Sequence, residues 1–337
     1  MQILIITDAA YPQLNGVVTT LTNLKIQLQS IGHRVLMITP ADFTSLSLPG
    51  YPEIKVPIFP LSLVGMIKRA NPDIIHIATE GVLGLIAANY CRTNSIPYIT
   101  SFHTDWENTL EYFSFPGSSK LIRRYLKYIH SAAKITLVTN NEMRISLENR
   151  GFTNLITWTR GVNAEMFNPM ERQYLKLKKP ILLCVSRISP EKNLEAFLQL
   201  STPGTKVLVG NGPMLETYKK QYPEVIYTGA LTGHNLAVQY ASADVFVFPS
   251  KTDTFGVVML ESIASGTPVA AYPVTGPIGV IENNINGFLD NNLELAVQKA
   301  LLVDRKTTEL SSKKWTWKNT TNIYLDNITA ITNTESV

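Results

Sequence analysis

The feature that most constrains this chain is a regular alternation between short β-branched runs and stretches with helical periodicity. Buried parallel strands read as nearly continuous apolar runs, and each needs a crossover, usually a helix, to reach the next strand. The alternation therefore predicts a parallel sheet with helices on both faces. In the N-terminal half the runs are QILIIT, RVLMIT, DIIHIAT, PYITSF and KITLVT, and a helical pattern over residues 17–31 separates the first two.

The alternation pauses between Arg160 and Pro180 and then starts again. The pause has no sustained period and contains Pro169. The runs after it are ILLCVSR, TKVLVG, VIYTG, DVFVFPS and PVAAY. The sequence thus predicts an α/β protein with two doubly wound domains, one over residues 1–165 and one over residues 166–312. A last helix, at about residues 313–331, follows the second sheet and could pack back on the first domain.

Composition excludes several classes of protein. The 337 residues suffice for two cores, and 45% hydrophobic with 17% charged residues argues against disorder. A net charge of +4 is too small to indicate a nucleic-acid-binding protein, so we expect no nucleic-acid partner. Cys91 and Cys184 form no C-x-x-C pair, which predicts buried side chains in a reducing compartment and no disulfide or zinc site. The start of the chain lacks the basic region of a signal peptide, and the expected location is the cytoplasm.

The first candidate site follows the run DVFVFPS. Ligands of open parallel sheets bind beyond the carboxyl ends of the strands, and Asp253 and Glu261 lie there, around a helix start. If Thr254 caps this helix, the N–H groups of residues 255–257 form an anion site. A ligand with a central diphosphate and hydroxyl groups at both ends fits such an arrangement. The alternative is an acid that complements the helix dipole, followed by a surface glutamate.

Two other strand ends carry groups suited to phosphate. Arg187 and Lys192 lie five residues apart in SRISPEKN, and two cations there would neutralise a diphosphate leaving group. Asn15 and Gly16 precede the first helix, where a residue without a Cβ lets a phosphate approach the backbone. The alternatives are a solvated basic loop and a plain turn glycine. Neither a complete G-x-G-x-x-G nor a G-x-x-x-x-G-K-[ST] motif is present, which argues against dehydrogenases and P-loop proteins.

A histidine marks a fourth strand end. His103 follows the run PYITSF, where a titratable side chain belongs to the predicted cleft between the two domains. The alternative is a histidine that serves only the structure. A protein that merely binds sugar nucleotides would also have two such domains, but it has less need of His103 on one wall and Asp253 on the other.

A basic helix suggests contact with a membrane surface. Residues 118–134 combine basic residues with apolar and aromatic ones at helical spacing, a combination that suits an anionic membrane surface. The hypothesis is peripheral contact with the inner face of the cytoplasmic membrane. The alternative is a solvated face over the core. The basic residues near one stripe are Lys120, Arg123, Arg124 and Lys127.

Together the motifs resemble one family. NGVVTTL, SFHTD, SRISPEKN, VGNGP, YASADVFVFPS and the Asp253-x7-Glu261 pair resemble the retaining glycosyltransferases of family 4 (group 1). Their GT-B fold has two facing Rossmann-like domains with a cleft between them, and the resemblance covers about residues 2–325. Within the family, TDAAYPQLNGVV, SFHTDW and TDTFGVVMLE look most like the bacterial GDP-mannose-dependent α-mannosyltransferases that elongate glycolipids.

The resemblance implies a role for each site residue. His103 would face the reacting sugar and Asp253 would hold its hydroxyls, as the catalytic residues, and Glu261 would bind the ribose. The family motif usually has Glu at the first acid, and Asp253 is one methylene shorter. The remaining roles would be diphosphate binding by Gly16, Arg187, Lys192, Phe255, Gly256 and Val257, and proximity to the nucleobase for Tyr227, Thr228 and Gly229.

The resemblance implies transfer of a hexose, preferably mannose from GDP-mannose, to a lipid-linked (glycolipid) or glycan acceptor with retention of configuration. No D-x-D pair follows any predicted strand, so neither a metal nor another cofactor is expected. Two cations and a helix start can do the metal's work. The alternatives are a UDP-glucose-type glucosyltransferase, another GT-B enzyme such as a nucleotide-sugar epimerase, and a non-catalytic sugar-nucleotide-binding protein.

Overall fold

The chain forms two compact units. The computed structural model describes residues 1–107, 118–171 and 176–334. The first unit consists of Met1–Arg160 with the chain from Trp317 onward, and the second is Gly161–Thr316. Each unit contains its own sheet and its own apolar core.

The division falls after Arg160, ahead of the predicted boundary after residue 165. Val162 belongs to the second unit because its N–H donates to the Trp315 carbonyl at 3.0 Å. Val162 also forms a parallel bridge with Thr316. The two ends of the second unit are therefore paired with each other.

Each unit contains one six-stranded sheet in which all neighbouring strands are parallel. The strands are β1 (Gln2–Ile6), β2 (Arg34–Ile38), β3 (Ser45–Leu48), β4 (Tyr51–Pro57), β5 (Ile74–Ile77), β6 (Tyr98–Phe102), β7 (Thr136–Val138), β8 (Leu155–Thr157), β9 (Ile181–Val185), β10 (Thr205–Val209), β11 (Ile226–Gly229), β12 (Val245–Phe248), β13 (Val269–Ala271) and β14 (Gly287–Leu289). Their order is β2-β1-β5-β6-β7-β8 in the first unit and β11-β10-β9-β12-β13-β14 in the second. The sequence pattern did not reveal β8 and β14, which have three residues each, or the antiparallel hairpin β3–β4.

Helices connect the strands, as the alternation predicts. They are α1 (Gly16–Ser30), α2 (Leu63–Ala70), α3 (Val82–Thr93), α4 (Ser118–His130), α5 (Asn141–Asn149), α6 (Glu195–Leu198), α7 (Leu215–Gln221), α8 (Gly233–Ser242), α9 (Val257–Ala264), α10 (Thr275–Ile278), α11 (Leu293–Ala300), α12 (Arg305–Ser311) and α13 (Trp317–Thr334). The last of them belongs to the first unit, where Trp158 Nε1 donates to the Thr320 carbonyl at 2.9 Å. Within the described chain, none of these helices combines the length and apolar character needed to span a bilayer.

The first sheet is buried on both faces. Ile3 of β1 lies in one apolar layer with Leu24 of α1 and Tyr324 of α13. The next residue, Leu4, lies in the opposite layer with Leu83 of α3. Successive strand residues point to opposite faces, so this alternation shows that helices cover both sides of β1.

The second sheet repeats this arrangement. Ile181 of β9 shares a layer with Tyr240 of α8 and Leu260 of α9. Leu182 faces the other side, in a layer with Val297 of α11. Apolar side chains thus fill most of both faces of each sheet, and the buried polar residues within the strands of the first sheet, such as His76 and Ser101, bond to each other.

Asp8 lies just beyond β1 and caps α3, a role that the sequence did not suggest. Its Oδ1 accepts from the Leu83 N–H at 2.9 Å, and its Oδ2 accepts from the Gly84 N–H at 3.3 Å. The Thr79 hydroxyl donates to Oδ2 at 2.9 Å. The residue before α3 is Gly81, where an added Cβ would lie 2.3 Å from Cγ of Asp8. The missing side chain at Gly81 is what lets Asp8 reach the helix start.

The substitution Gly81→Ala should therefore destabilise the protein. Its Cβ must displace the Asp8 carboxylate from the start of α3, and overpacking of this kind costs about 1 to 3 kcal/mol. Urea unfolding measures the change. The matched control is Gly65→Ala within α2, where a Cβ meets only the flexible end of Arg69 at 3.3 Å. That change should stabilise the protein by up to about 1 kcal/mol, and equal losses for both variants would contradict the account of Gly81.

Candidate active site

The loop after β9 carries the two predicted diphosphate-binding cations. Arg187 lies just beyond the strand, and Lys192 ends a short 3-10 helix, Pro190–Lys192. Asn193 follows in the left-handed region with φ of 52°, and its side-chain amide donates to the Pro249 carbonyl at 2.9 Å. This bond ties the loop after β9 to the residue that follows β12.

Asp253 lies on the loop after β12 and forms an ion pair with Lys192. Nζ of Lys192 lies 2.7 Å from Oδ1 of Asp253. Burial alone would raise the pKa of the Asp253 carboxyl, but the positive charges of Lys192 and Arg187 outweigh burial and hold that pKa below its usual value. Asp253 is therefore ionised at neutral pH and can accept hydrogen bonds from hydroxyl groups. The residues predicted to hold the sugar and the diphosphate thus meet in one ion pair.

The helix after Asp253 begins later than predicted. The N-cap of α9 is Gly256, so the predicted cap at Thr254 is wrong. Gly256 has φ of 88°, a conformation that cannot continue a helix and that side chains rarely adopt. A Cβ on Gly256 would also lie 2.9 Å from the ring of Phe248. These constraints place the helix start at Val257. The free N–H groups that an anion could bind are therefore those of the first turn of α9, beginning with Val257.

Glu261 lies in the second turn of α9 and is bound by a tyrosine from α8. The Tyr240 hydroxyl donates to Oε2 of Glu261 at 2.9 Å. Burial raises the pKa of the Glu261 carboxyl to about 7, although the hydrogen bond from Tyr240 opposes this shift. Burial and the nearby carboxylate raise the pKa of Tyr240 well above its usual value, so the phenol stays protonated. Glu261 therefore changes its charge near neutral pH while Tyr240 remains a donor.

The predicted nucleobase region lies at the end of β11. The Tyr227 hydroxyl donates to the carbonyls of Tyr218 and Tyr222 at 2.9 and 3.2 Å. The Thr228 hydroxyl donates to the carbonyl of Gly229 at 2.9 Å. Because both hydroxyls donate within the protein, they could meet a nucleobase at this edge only as acceptors.

In the first unit, Gly16 is the first residue of α1. The side chain of Asn15 caps this helix and accepts from the N–H groups of Val17 and Val18, both at 3.0 Å. Since Asn15 satisfies these two donors, a phosphate contact at this helix start falls to the N–H of Gly16. Phosphate binding by Gly16 stays a prediction, and Asn15 is the group that orders the loop beside it.

His103 follows β6 and lies almost fully buried beside Arg160. Nη2 of Arg160 lies 3.0 Å from Nδ1 of His103. A guanidinium group can only donate, so Nδ1 accepts and the proton of the neutral ring lies on Nε2. Burial, and then the charge of Arg160, lower the pKa of His103 well below its usual value. His103 is therefore a neutral imidazole whose Nε2 carries the N–H.

Arg160 is a site residue that the sequence analysis missed. It is 2% exposed, and its Nη1 donates to the carbonyls of Trp158 and Thr159 at 2.6 and 3.2 Å. Burial lowers its pKa to about 9, which leaves it charged at neutral pH. Arg160 lies just beyond β8, so the rule that found His103 would have found Arg160 had that three-residue strand been recognised.

The acids beyond β6 are paired with arginines. Both carboxylate oxygens of Asp105 accept from Arg150 at 2.9 Å, and Glu107 pairs with Arg123 at 2.6 Å. Across the three described segments, no group of three or more His, Cys, Asp or Glu side chains is arranged to hold a metal ion. These acids are parts of ion pairs that fix the loop after β6 to α4 and α5.

The predicted basic stripe lies on α4 and is only partly open to solvent. Arg123 is engaged by Glu107, and Lys127 lies 5.7 Å from the ring centre of Phe152. Lys120 and Arg124 are exposed. The predicted apolar residues of the same helix mostly face the core, as Leu126 and Ile129 are buried and Leu121 is exposed.

Two family models match the chain, one after the other. The model for glycosyltransferase family 4 matches residues 14–166, and the model for glycosyl transferases group 1 matches residues 167–300. The chain is 29% identical to a GDP-mannose-dependent alpha-mannosyltransferase of Corynebacterium glutamicum over 94% of this chain and 84% of that protein. It is 30% identical to a sulfoquinovosyl transferase of Arabidopsis thaliana over 94% of this chain and 71% of that protein.

A solved structure shares the same fold. Sucrose-phosphate synthase from Thermosynechococcus elongatus superposes with a TM-score of 0.80 at 21% identity, over 98% of this chain and 99% of that one. The two parallel α/β units and the polar groups at their strand ends define a glycosyltransferase with the GT-B fold. The chain belongs to glycosyltransferase family 4 (group 1).

The raised pKa of Glu261 predicts a pH-dependent stability. A carboxyl whose folded pKa of about 7 exceeds its ordinary value of 4.5 stabilises the fold fully below about pH 4.5 and loses that contribution as the pH rises through 7. Glu261→Gln cannot ionise and should be more stable than the parent protein at pH 8. The gain is about 1 to 3 kcal/mol, and it should shrink toward pH 5.5.

Unfolding by urea at the two pH values, without nucleotide, measures this difference. The matched control is Glu216→Gln on α7, where the side chain is exposed. That variant should show no comparable change with pH. A gain for Glu261→Gln that is equal at both pH values would contradict the assignment of the titration to Glu261.

Proposed function

We propose that this glycosyltransferase transfers mannose from GDP-mannose to a glycolipid or glycan acceptor, with retention of configuration and without a metal. The observation that carries the proposal is the Lys192–Asp253 ion pair of 2.7 Å at the start of α9, with Glu261 one turn further along. Asp253 offers an acceptor for sugar hydroxyls, Lys192 a cation for the diphosphate and Glu261 an acceptor for the ribose, which matches the sugar–diphosphate–ribose order of a nucleoside diphosphate sugar. The name of the Corynebacterium relative supports GDP-mannose as the donor.

The chemistry needs charge stabilisation at the leaving group. Cleavage of the sugar–phosphate bond leaves negative charge on the diphosphate, and preorganised cations and N–H groups lower the barrier most where that charge develops. Arg187, Lys192 and the first N–H groups of α9 would supply this stabilisation. A divalent cation would do the same work elsewhere, and here the two side-chain cations make it unnecessary.

The sugar would be oriented by hydrogen bonds of opposite sense. Asp253 is ionised and accepts from sugar hydroxyls, whereas His103 is neutral and presents an N–H at Nε2. His103 is thereby suited to positioning the sugar and unsuited to act as an imidazolium acid. The departing phosphate would help to take the proton from the acceptor hydroxyl, which is the explanation usually given for retaining transfer in this family.

Ligand-induced stabilisation tests the donor. GDP, UDP, ADP, NAD⁺ and GDP-mannose at about 1 mM should differ, and only GDP and GDP-mannose should raise the melting temperature. A ligand at about a hundred times its Kd adds about 2.7 kcal/mol of stability. A selective response to UDP would mean that the donor is a UDP-sugar, and no response to any diphosphate would overturn the proposed site.

Metal independence has its own test. Transfer of labelled mannose should persist in EDTA, and a loss of transfer that Mg²⁺ restores would refute metal independence.

The acceptor proposal includes contact with an anionic membrane through Lys120 and Arg124, the exposed cations of α4. Each cation near such a surface contributes about 1 kcal/mol, so Lys120→Ser with Arg124→Ser should weaken binding to anionic vesicles by more than tenfold. Vesicle flotation measures it, with neutral vesicles for comparison. The matched control is the basic pair of α7, changed as Lys219→Ser with Lys220→Ser. Binding that ignores lipid charge, or that both double variants lower equally, would contradict this contact.

A further inference from the structure

Tyr240 is a buried tyrosine whose hydroxyl is aimed at the candidate ribose-binding acid. The residue is 0% exposed, and its ring packs between those of Phe167 and Phe246, at centroid distances of 5.8 and 5.5 Å. The Thr267 hydroxyl donates to its carbonyl oxygen at 2.6 Å. Ring and backbone are thus held from three sides, which leaves the hydroxyl little freedom of position.

The hydroxyl binds one oxygen of the carboxylate. It donates to Oε2 of Glu261 at 2.9 Å, whereas Oε1 has no hydrogen-bond partner among the residues that the structure describes. A carboxylate with one bound oxygen cannot rotate freely about its last torsion. The second oxygen of Glu261 is therefore held in one direction.

We infer that Tyr240 is a positioning residue for nucleotide binding, which fixes Oε2 of Glu261 so that Oε1 accepts a hydrogen bond from a ribose hydroxyl. The inference rests on the proposed function, because it takes Glu261 as the ribose contact. A phenol that only filled the core would have no need of a hydroxyl, and phenylalanine would fill the same space without burying a polar group.

The bond from Tyr240 also bears on the charge of Glu261. A donor stabilises the ionised carboxylate, and the ionised form is the one that accepts from ribose. Burial holds the pKa of Glu261 at about 7, so nucleotide affinity should fall as the pH decreases below that value.

Other charged groups near α9 are engaged elsewhere. Arg305 of α12 donates to the carbonyls of Ala241, Ala243 and Ser265. On the elements packed against α9, Lys306 pairs with Glu309 and Lys314 with Glu282, whereas Lys313 and His234 of α8 are exposed. The buried thiol of Cys184, on β9, lies near Tyr240.

The test is Tyr240→Phe, with GDP affinity measured by calorimetry from pH 5.5 to 8.5. At pH 7.5 the Kd should rise about tenfold, because a charge-assisted hydrogen bond that orders the acceptor is lost. The decline of affinity toward acid should move to higher pH, because the carboxylate has lost a donor. In the Glu261→Gln background the same change should have little further effect, as expected for two residues that act as one unit.

Two further variants separate positioning from packing. Tyr324→Phe, in the first unit, removes a buried hydroxyl that lies 3.3 Å from His76, and it should leave the Kd unchanged. Glu261→Asp withdraws the carboxylate from Tyr240 without changing the tyrosine, and it should reproduce the loss of affinity even where Tyr240→Phe folds poorly.

The outcomes distinguish the two proposals. If the parent protein binds no nucleoside diphosphate, the proposed function fails. If the parent binds GDP and Tyr240→Phe leaves both the Kd and its pH dependence unchanged, the role of Tyr240 is overturned while the proposed function stands. Tyr240→Phe could instead raise the Kd without shifting the pH profile, and by the same factor in the Glu261→Gln background. That result would mean that Tyr240 serves only the structure.

Discussion

The rest of the structure depends on one constraint, the burial of parallel sheets on both faces. In β1 and β9, successive residues enter opposite apolar layers, so neither face of these two central strands has room for a charged group. Parallel strands also end at a common edge, and the loops at that edge are the places where polar side chains can gather. Most of the candidate site residues accordingly lie just after the strands.

At those ends, the functional candidates are held by neighbours more than by their own loops. Asn193 ties the Lys192 loop to Pro249, Asn15 orders the loop at Gly16, and Arg160 fixes the tautomer of His103. The Tyr240 hydroxyl donates to Oε2 of Glu261 and restrains that carboxylate. Binding geometry of this kind costs the ligand less, because the ordering entropy is already spent during folding.

Much of the fold follows from the sequence, and the failures have physical reasons. Long apolar runs such as those of β1 and β12 are readily recognised as strands, whereas β8 and β14 were missed. Each has only three residues, and the equally short β7 and β13 were found because they lie within the longer runs KITLVT and PVAAY. Missing β8 concealed Arg160. The expected cap at Thr254 failed because the positive φ of Gly256 decides the helix start, and residue type alone does not reveal that angle. Tyr240 lies within a helix, and only the packing of α8 on α9 brings its hydroxyl to Glu261.

The ion pair between Lys192 and Asp253 makes ligand entry an exchange of partners. An anion that approaches Lys192 must compete with a carboxylate already in place, and it leaves Asp253 without its counterion. A free sugar meets the converse difficulty, because its hydroxyls offer nothing to the ammonium group. A molecule with an anion and hydroxyls at the right separation replaces both partners at once. If the donor binds at Lys192 and Asp253 as proposed, the pair disfavours common small metabolites, because inorganic phosphate and free hexoses each replace only one partner of the ion pair.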